Sequence, residues 1–163
     1  KWIRSQIIIS IVIHLLILVE LTTYIVPIRS DDTWWGWEAL SEEVSELRTN
    51  YPDHFFFSTD NYKTAAVLRF YQDAPTYSTN VLGENGLQFG ILDPDLGFLE
   101  GQNAILIDSD TRFKNEAAPE TIPAKVIPYF KDIQILAPII LRNKQGKAIR
   151  KFNVFACMNY KKP

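Results

Sequence analysis

The chain has 163 residues and a mass of 18.8 kDa, which suits one folded domain with one appended element and excludes a two-domain enzyme of ordinary size. Its net charge of -2 offers no support for nucleic-acid binding, and its 47% of hydrophobic residues excludes a disordered or fibrous chain. The single cysteine, Cys157, excludes an intrachain disulfide and a metal cluster held by cysteines.

Residues 7–28 form the most apolar stretch of the chain, and only Ser10 and His14 are polar among the first 13 of them. A helix of this length spans roughly 33 Å, against a hydrocarbon core of about 30 Å. The stretch predicts a transmembrane helix with its flanks over residues 1–30, followed by a domain over residues 31–163. A core helix of a soluble protein is the alternative, although no later segment is apolar enough to surround it.

The flanks of this helix predict its orientation. Two basic residues precede the span and two acidic residues follow it, so the positive-inside rule places the N-terminus in the cytoplasm and the domain outside. Three tryptophans then lie where an interfacial aromatic belt is expected, although they could equally pack under the domain; they are Trp34, Trp35 and Trp37.

Two polar side chains inside the span, His14 and Glu20, predict further membrane helices. Ionisable groups at this depth usually face other helices or a polar cavity rather than lipid. We therefore expect the helix to belong to a larger bundle, with membrane lipid and the remaining transmembrane helices of a parent protein as its partners. The chain begins with Lys1 rather than Met, as a segment excised from a longer protein would.

The residues after the span alternate between helical and strand patterns. Helices are expected over residues 34–50, capped by Asp32 or Thr33, over 61–72 and, as a short helix, over 123–130. Strands are expected over residues 54–57, 76–80, 104–107 and 133–136, followed by a hairpin of 139–142 and 149–158 around the loop 143–147. This order predicts a small three-layer α/β domain with a mainly parallel sheet and a C-terminal antiparallel hairpin.

Charge is distributed unevenly along the domain. Residues 29–141 carry 8 basic and 18 acidic side chains, whereas residues 142–163 carry 7 basic and no acidic ones. The basic tail could meet anionic lipid headgroups, at about 1 kcal/mol for each basic residue near the surface. The alternative is a solvated edge strand whose lysines prevent unwanted pairing.

An apolar strand that runs into Asp108 and Asp110 is the sharpest local signal for chemistry. Two carboxylates at a strand end are a compact pair of oxygen ligands for a divalent metal, as in nucleotide-sugar transferases. Such a pair is also common by chance, and the two residues could instead cap the following turn.

A second candidate site lies where the first strand meets the second helix. Ser58, Thr59 and Asn61 follow that strand, and in an open parallel sheet the carboxyl ends of strands usually form the ligand crevice. Together with Asp108 they are the candidate ligand-binding residues, and capping of the helix is the alternative. No glycine-rich phosphate-binding loop is present, so no nucleotide cofactor is expected.

Spaced aromatic, alanine and glycine positions over residues 7–160 resemble the C-terminal region of bacterial dolichyl-phosphate-mannose–protein mannosyltransferase-like proteins. These are multi-spanning family-39 glycosyltransferases, and the similar region comprises the last membrane helix and a small extracytoplasmic domain. The residues that carry the resemblance are Gly36, Trp37, Leu40, Val44, residues 57–60, Tyr62, Ala65, Ala66, Leu68, Phe70, Tyr71, Thr76, Tyr77, Ser78, Gln88, Phe89 and residues 99–104.

The resemblance implies a parent enzyme that takes a sugar from a polyprenyl-phosphate donor on the outer, periplasmic side of the bacterial cytoplasmic membrane. Such enzymes keep their acidic catalytic residues in the first extracytoplasmic loop, which this chain does not match. No catalytic residue is therefore carried over, no cofactor is expected in this segment, and the segment alone is expected to be inactive. The alternative is a single-span, membrane-anchored binding module without enzymatic activity.

Overall fold

The computed structural model describes residues 2–25, 34–60 and 62–162. It has the expected α/β class, because an apolar N-terminal helix precedes a six-stranded mixed sheet that is packed on both faces. The expected helix caps Asp32 and Thr33 and the candidate ligand residue Asn61 lie outside the described residues.

The N-terminal helix α1, Trp2–Thr23, is 22 residues long and has no buried residue. A core helix of a soluble protein would bury an apolar face against its own domain, and α1 does not. Among the described residues, α1 is the one helix that is long enough and apolar enough to cross a membrane.

Two amphipathic helices cover one face of the sheet. Helix α2, Trp37–Asn50, buries Trp37, Leu40 and Val44, whose spacing of three to four residues places them on one side of the helix. Helix α3, Lys63–Tyr71, buries Ala65 and Leu68 in the same way. Helix α2 starts three residues later than expected, after Gly36, which has a left-handed φ of 86°.

The six strands are β1 (His54–Phe57), β2 (Thr76–Tyr77), β3 (Asn103–Ser109), β4 (Phe130–Ile135), β5 (Ile139–Arg142) and β6 (Ala148–Tyr160). Their order is β2-β1-β3-β6-β4, and β5 also pairs with β6. Strand β1 pairs in parallel with β2 and β3, whereas β6 is antiparallel to β3, β4 and β5. Strands β1 to β5 therefore point the same way and β6 points the opposite way. Strands β5 and β6 form the expected C-terminal antiparallel hairpin.

The central strands are apolar on both faces, as a sheet between two layers requires. Phe55 and Phe57 pack on one face of the sheet, and Phe56 packs on the other with α2 and α3. The face opposite the two helices is covered by loops with short helical turns at Thr79–Leu82, Gly97–Leu99 and Ile127–Tyr129, which contribute to its core. The short helix α4 (Phe89–Leu92) lies between the first two of these turns in the sequence.

Local interactions shorten two expected elements. The strand expected over 76–80 ends at Tyr77, because the Asn80 side chain accepts a hydrogen bond from the Ser78 N–H at 3.1 Å and the chain turns. The helix expected over 123–130 is a single turn at Ile127–Tyr129, since a proline at 128 has no N–H to extend it. The strand expected over 133–136 instead begins at Phe130, because Phe130 pairs with Tyr160 on β6.

One edge of the sheet, here called the carboxyl edge, is where β1, β3 and β5 end and β6 begins. The chain leaves α1 at this edge. Tyr24, which is 3% exposed, stacks on Trp35 with ring centroids 5.3 Å apart and contacts Trp34 edge-on. The Trp35 carbonyl accepts a hydrogen bond from Arg150 Nη1 at 2.9 Å, near the start of β6. The opposite edge, where β1, β3 and β4 begin and β6 ends, is called the amino edge.

Candidate functional site

The carboxyl ends of β1 and β3 bring Thr59 and Asp108 into contact. The Thr59 backbone N–H donates to Asp108 Oδ1 at 2.6 Å, and the Thr59 hydroxyl donates to Oδ2. The contact joins residues 49 positions apart in the sequence. It arises because β1 and β3 are adjacent and parallel, as the order of elements predicted.

Ser58 faces a different carboxylate, that of Asp60. The Ser58 hydroxyl donates to Asp60 Oδ1 at 2.6 Å, and the same carboxylate accepts from the Thr64 N–H at 3.3 Å and from the Thr64 hydroxyl. These bonds tie the end of β1 to the first turn of α3. Ser58 is fully buried and Thr59 is 6% exposed, so both hydroxyls are engaged inside the protein. Their predicted contact with a ligand stays a prediction.

The environment of Asp108 favours its neutral form. Burial raises the pKa of Asp108 above its ordinary value, and the charge of Asp60 acts in the same direction. The two bonds from Thr59 and the charge of Lys125 oppose this shift in pKa. Lys125 is held nearby because its Nζ donates to the Thr59 carbonyl at 2.7 Å.

A crevice of about 470 Å³ opens beside Asp108 at the carboxyl edge. Its lining combines carboxylate, amide and hydroxyl groups, one arginine and three apolar side chains. The lining residues are Asp108, Ser109, Asp110, Thr111, Arg112, Pro119, Thr121, Pro123, Asn153 and Phe155. Such a mixture of acceptors and hydroxyls beside apolar side chains suits a ligand that carries hydroxyl groups.

The sequence reasoning missed Asn153. This residue faces Asp108 directly across the β3–β6 ladder and lines the same crevice. Its Oδ1 atom is buried and has no hydrogen-bond partner within the described part of the chain. An unsatisfied buried carbonyl oxygen is uncommon in proteins, and here it marks a polar position within the wall of the crevice. The available signal was a polar residue between Phe152 and Val154 in an otherwise apolar strand.

The predicted metal pair, Asp108 and Asp110, lies on one wall of the crevice. Both oxygens of Asp108 accept from Thr59, and Asp110 Oδ2 lies 3.7 Å from Lys151 Nζ. Within residues 2–25, 34–60 and 62–162 no group of three His, Cys, Asp or Glu side chains is placed to hold a metal ion. A metal ion bound by Asp110 would therefore have to compete with the ammonium group of Lys151.

The three tryptophans differ in their surroundings. Trp37 is 8% exposed and packs in the core, with the Arg150 guanidinium 3.7 Å from the centre of its ring. Trp35 is half-buried, and Trp34 is 46% exposed next to the end of α1. Their predicted place at a membrane interface stays a prediction, for which Trp34 offers the most accessible ring.

A second cavity, of about 450 Å³, lies at the amino edge and is lined in part by His54, Arg48 and Tyr77. Both ring nitrogens of His54 are buried and have no hydrogen-bond partner among the described residues. Burial lowers the pKa of His54, and the Asp53 charge opposes that shift. The sequence reasoning placed His54 only at a strand edge.

Comparison of the chain with protein-family models, with curated proteins and with solved structures found no match.

Proposed function

We propose that this chain is the last transmembrane helix and the non-catalytic terminal α/β domain of a membrane glycosyltransferase. The parent enzyme transfers a sugar from a polyprenyl-phosphate donor to a protein or lipid acceptor in the bacterial cytoplasmic membrane, and the domain lies on the periplasmic side. The observation that carries the proposal is α1, which extends for 22 residues without a buried side chain and then meets a folded domain at Tyr24.

The residues that resemble the glycosyltransferase family support a structural role for this domain. Trp37, Leu40 and Val44 form the buried side of α2, and Ala65 and Leu68 that of α3. Residues with these positions determine how a domain packs, and they carry no chemistry of their own. The pattern therefore supports a terminal domain that covers or braces the catalytic cavity of its parent.

The crevice beside Asp108 supports a further role in recognising the acceptor. Sugars and hydroxylated acceptors present O–H donors, and the partly or fully exposed side chains of Asp110, Thr111 and Thr121 supply oxygen acceptors in the wall of the crevice. The crevice opens at the carboxyl edge, which is also where α1 joins the domain. A membrane-bound acceptor can therefore reach it without leaving the lipid surface.

A single-span anchored binding module is the second candidate function. The observation that favours it is the same crevice, because its polar lining can bind a hydroxylated ligand without any catalytic group. Both candidates require α1 to anchor the domain.

The coding sequence upstream of Lys1 distinguishes the two candidates. Several further hydrophobic spans, with acidic residues in the first extracytoplasmic loop, are expected for the transferase. The matching assay measures transfer of a radiolabelled sugar from a polyprenyl-phosphate donor. The full gene product should transfer the sugar, and the 163-residue chain in nanodiscs should not. A start codon next to Lys1, or transfer by the chain alone, would overturn the proposal.

A further inference from the structure

The position of α1 identifies which side of the domain faces the bilayer. The helix has no buried residue up to Thr23, and the chain first becomes buried at Tyr24, on the rings of Trp34 and Trp35. Through the bond from Arg150 to the Trp35 carbonyl, this contact is fixed to the start of β6. The carboxyl edge is therefore the side of the domain from which α1 departs.

The hairpin between β5 and β6 projects from the same edge. Its loop is held by two backbone bonds, from the Asn143 N–H to the Lys147 carbonyl at 3.0 Å and from the Gly146 N–H to the Asn143 carbonyl at 2.9 Å. The side chains of Lys144 and Lys147 are exposed at this tip. A rigid turn thus presents two ammonium groups near the point where the membrane helix leaves the domain.

The other basic side chains of the C-terminal tail are engaged or lie elsewhere. Arg142 forms an ion pair with Glu116, and Arg150 and Lys151 are each 5% exposed. Lys161 and Lys162 follow the end of β6 and lie at the amino edge, where Lys162 forms an ion pair with Asp95. The tail's charge is therefore divided between the two edges, and only the hairpin part is close to α1.

The loop after β3 adjoins the hairpin and carries charges of both signs. The Arg142–Glu116 pair links the hairpin to the loop after β3, in which Arg112 and Lys114 are exposed. The same loop also carries Asp110 and the exposed Glu120, so it adds no net positive charge. Lys144 and Lys147 in the hairpin are therefore the groups that complement a surface of anionic phospholipid headgroups.

We propose that the carboxyl edge rests against the bilayer and that Lys144 and Lys147 bind anionic phospholipid headgroups. The inference rests on the proposed anchoring by α1, and it adds which side of the domain the membrane covers. Each lysine near an anionic surface changes the ratio of domains that contact the membrane to domains that do not by about 5.4-fold, so the pair is expected to contribute about 30-fold. The crevice beside Asp108 then opens towards the lipid surface.

Fluorescence energy transfer to headgroup-labelled lipid tests the orientation. The full chain is placed in nanodiscs of phosphatidylcholine with one quarter phosphatidylglycerol, and a donor dye is attached at Gln145→Cys in the hairpin or at Gln102→Cys at the amino edge. Both glutamines are exposed. The 13 residues of β6 separate the two edges by about 40 Å. Cys157 is buried and its pKa is raised to about 12, so it should not react with a maleimide dye.

We expect clearly higher transfer from residue 145 than from residue 102. The Lys144→Gln/Lys147→Gln pair should lower transfer from residue 145 in the anionic discs and have no effect in pure phosphatidylcholine. The matched Lys161→Gln/Lys162→Gln pair removes the same charge from the amino edge and should change nothing.

Carbonate extraction of the same chain from liposomes separates the two proposals. A chain that is extracted refutes the anchoring on which the proposed function depends. A chain that stays embedded but transfers equally from both sites, or more from residue 102, overturns the orientation alone. An embedded chain with the expected orientation but no response to the hairpin lysine pair overturns the binding of anionic headgroups.

Discussion

Removal of the Asp108 carboxylate should destabilise the domain by about 3 kcal/mol. Asp108→Ala leaves the Thr59 N–H and hydroxyl without their acceptor. Each buried donor left without a partner costs about 1–3 kcal/mol, and loss of the carboxyl group's own burial cost offsets part of the sum. For a domain of this size the loss corresponds to a fall in melting temperature of about 10 °C.

The same carboxylate should make stability depend on pH. Because burial raises the pKa of Asp108, the folded state retains its proton at pH values where the unfolded state has released it. The stabilisation from Asp108 is fully present below pH 3.8, the ordinary pKa of an aspartic acid, and is lost as pH rises through the raised pKa of the folded state. Asp108→Asn keeps the shape and does not titrate, so the stability of the wild type relative to this variant should fall as pH rises.

Urea unfolding of the full chain in detergent micelles, followed by tryptophan fluorescence between pH 4 and pH 8, measures both effects. Asp132→Asn is the matched control, since Asp132 is an exposed carboxylate on β4, and it should change stability by less than about 0.5 kcal/mol. An Asp108→Ala variant as stable as the wild type would refute the reasoning. The reasoning would also be refuted if the stability of the wild type relative to Asp108→Asn increased with pH.

Three other substitutions have expected outcomes that urea unfolding can check. His54→Phe should stabilise the domain by about 1 kcal/mol, because both buried ring nitrogens of His54 lack a hydrogen-bond partner among the described residues. The gain should be larger at pH 5 than at pH 8, since the lowered pKa of His54 makes the wild type lose stability as pH falls below 6.5. A larger gain at pH 8 would contradict this. Arg150→Met should cost about 1–2 kcal/mol through loss of the cation over the Trp37 ring and of the bond to the Trp35 carbonyl, and an unchanged unfolding midpoint would count against it. Gly36→Ala should cost about 1–2 kcal/mol, because φ is 86° and the new Cβ would lie 3.0 Å from Leu141 Cδ1, whereas the control Gly90→Ala has no atom within 4 Å and should be nearly neutral.

Local sequence patterns were sufficient to predict those elements whose bounds are set by residues close together in the sequence. Strand β1 has the expected bounds because its apolar run is closed by Pro52 on one side and by polar residues from Ser58 on the other. The hairpin of β5 and β6 follows from its turn residues in the same way. A helix was expected to end at Phe130 and a strand to begin only at residue 133, but residues 130–132 already belong to β4. The partners of Phe130 and Asp132 on β6 lie 30 and 26 positions further along the chain. Pairing between residues so far apart cannot be predicted from a short stretch of sequence.

The candidate site was predictable only where strand ends alone define it. The convergence of Thr59 and Asp108 follows from two neighbouring parallel strands, whose carboxyl ends meet at one edge. Asn153 and Lys125 could not be assigned to the site, because the first depends on the antiparallel register of β6 and the second on a loop that folds back over Thr59. Burial of the Ser58 hydroxyl depends likewise on the tertiary contact with α3.

Labelling of both ends of α1 in one molecule tests most directly whether the helix crosses a bilayer. A chain with Trp2→Cys and Gln145→Cys is reconstituted in sealed liposomes, treated with a membrane-impermeant maleimide and weighed by mass spectrometry. A spanning helix leaves one site on each side in every molecule, whichever way it is inserted. We therefore expect one label per chain before detergent is added and two labels afterwards. Two labels per chain in intact liposomes would show both sites on the same side and contradict a transmembrane α1.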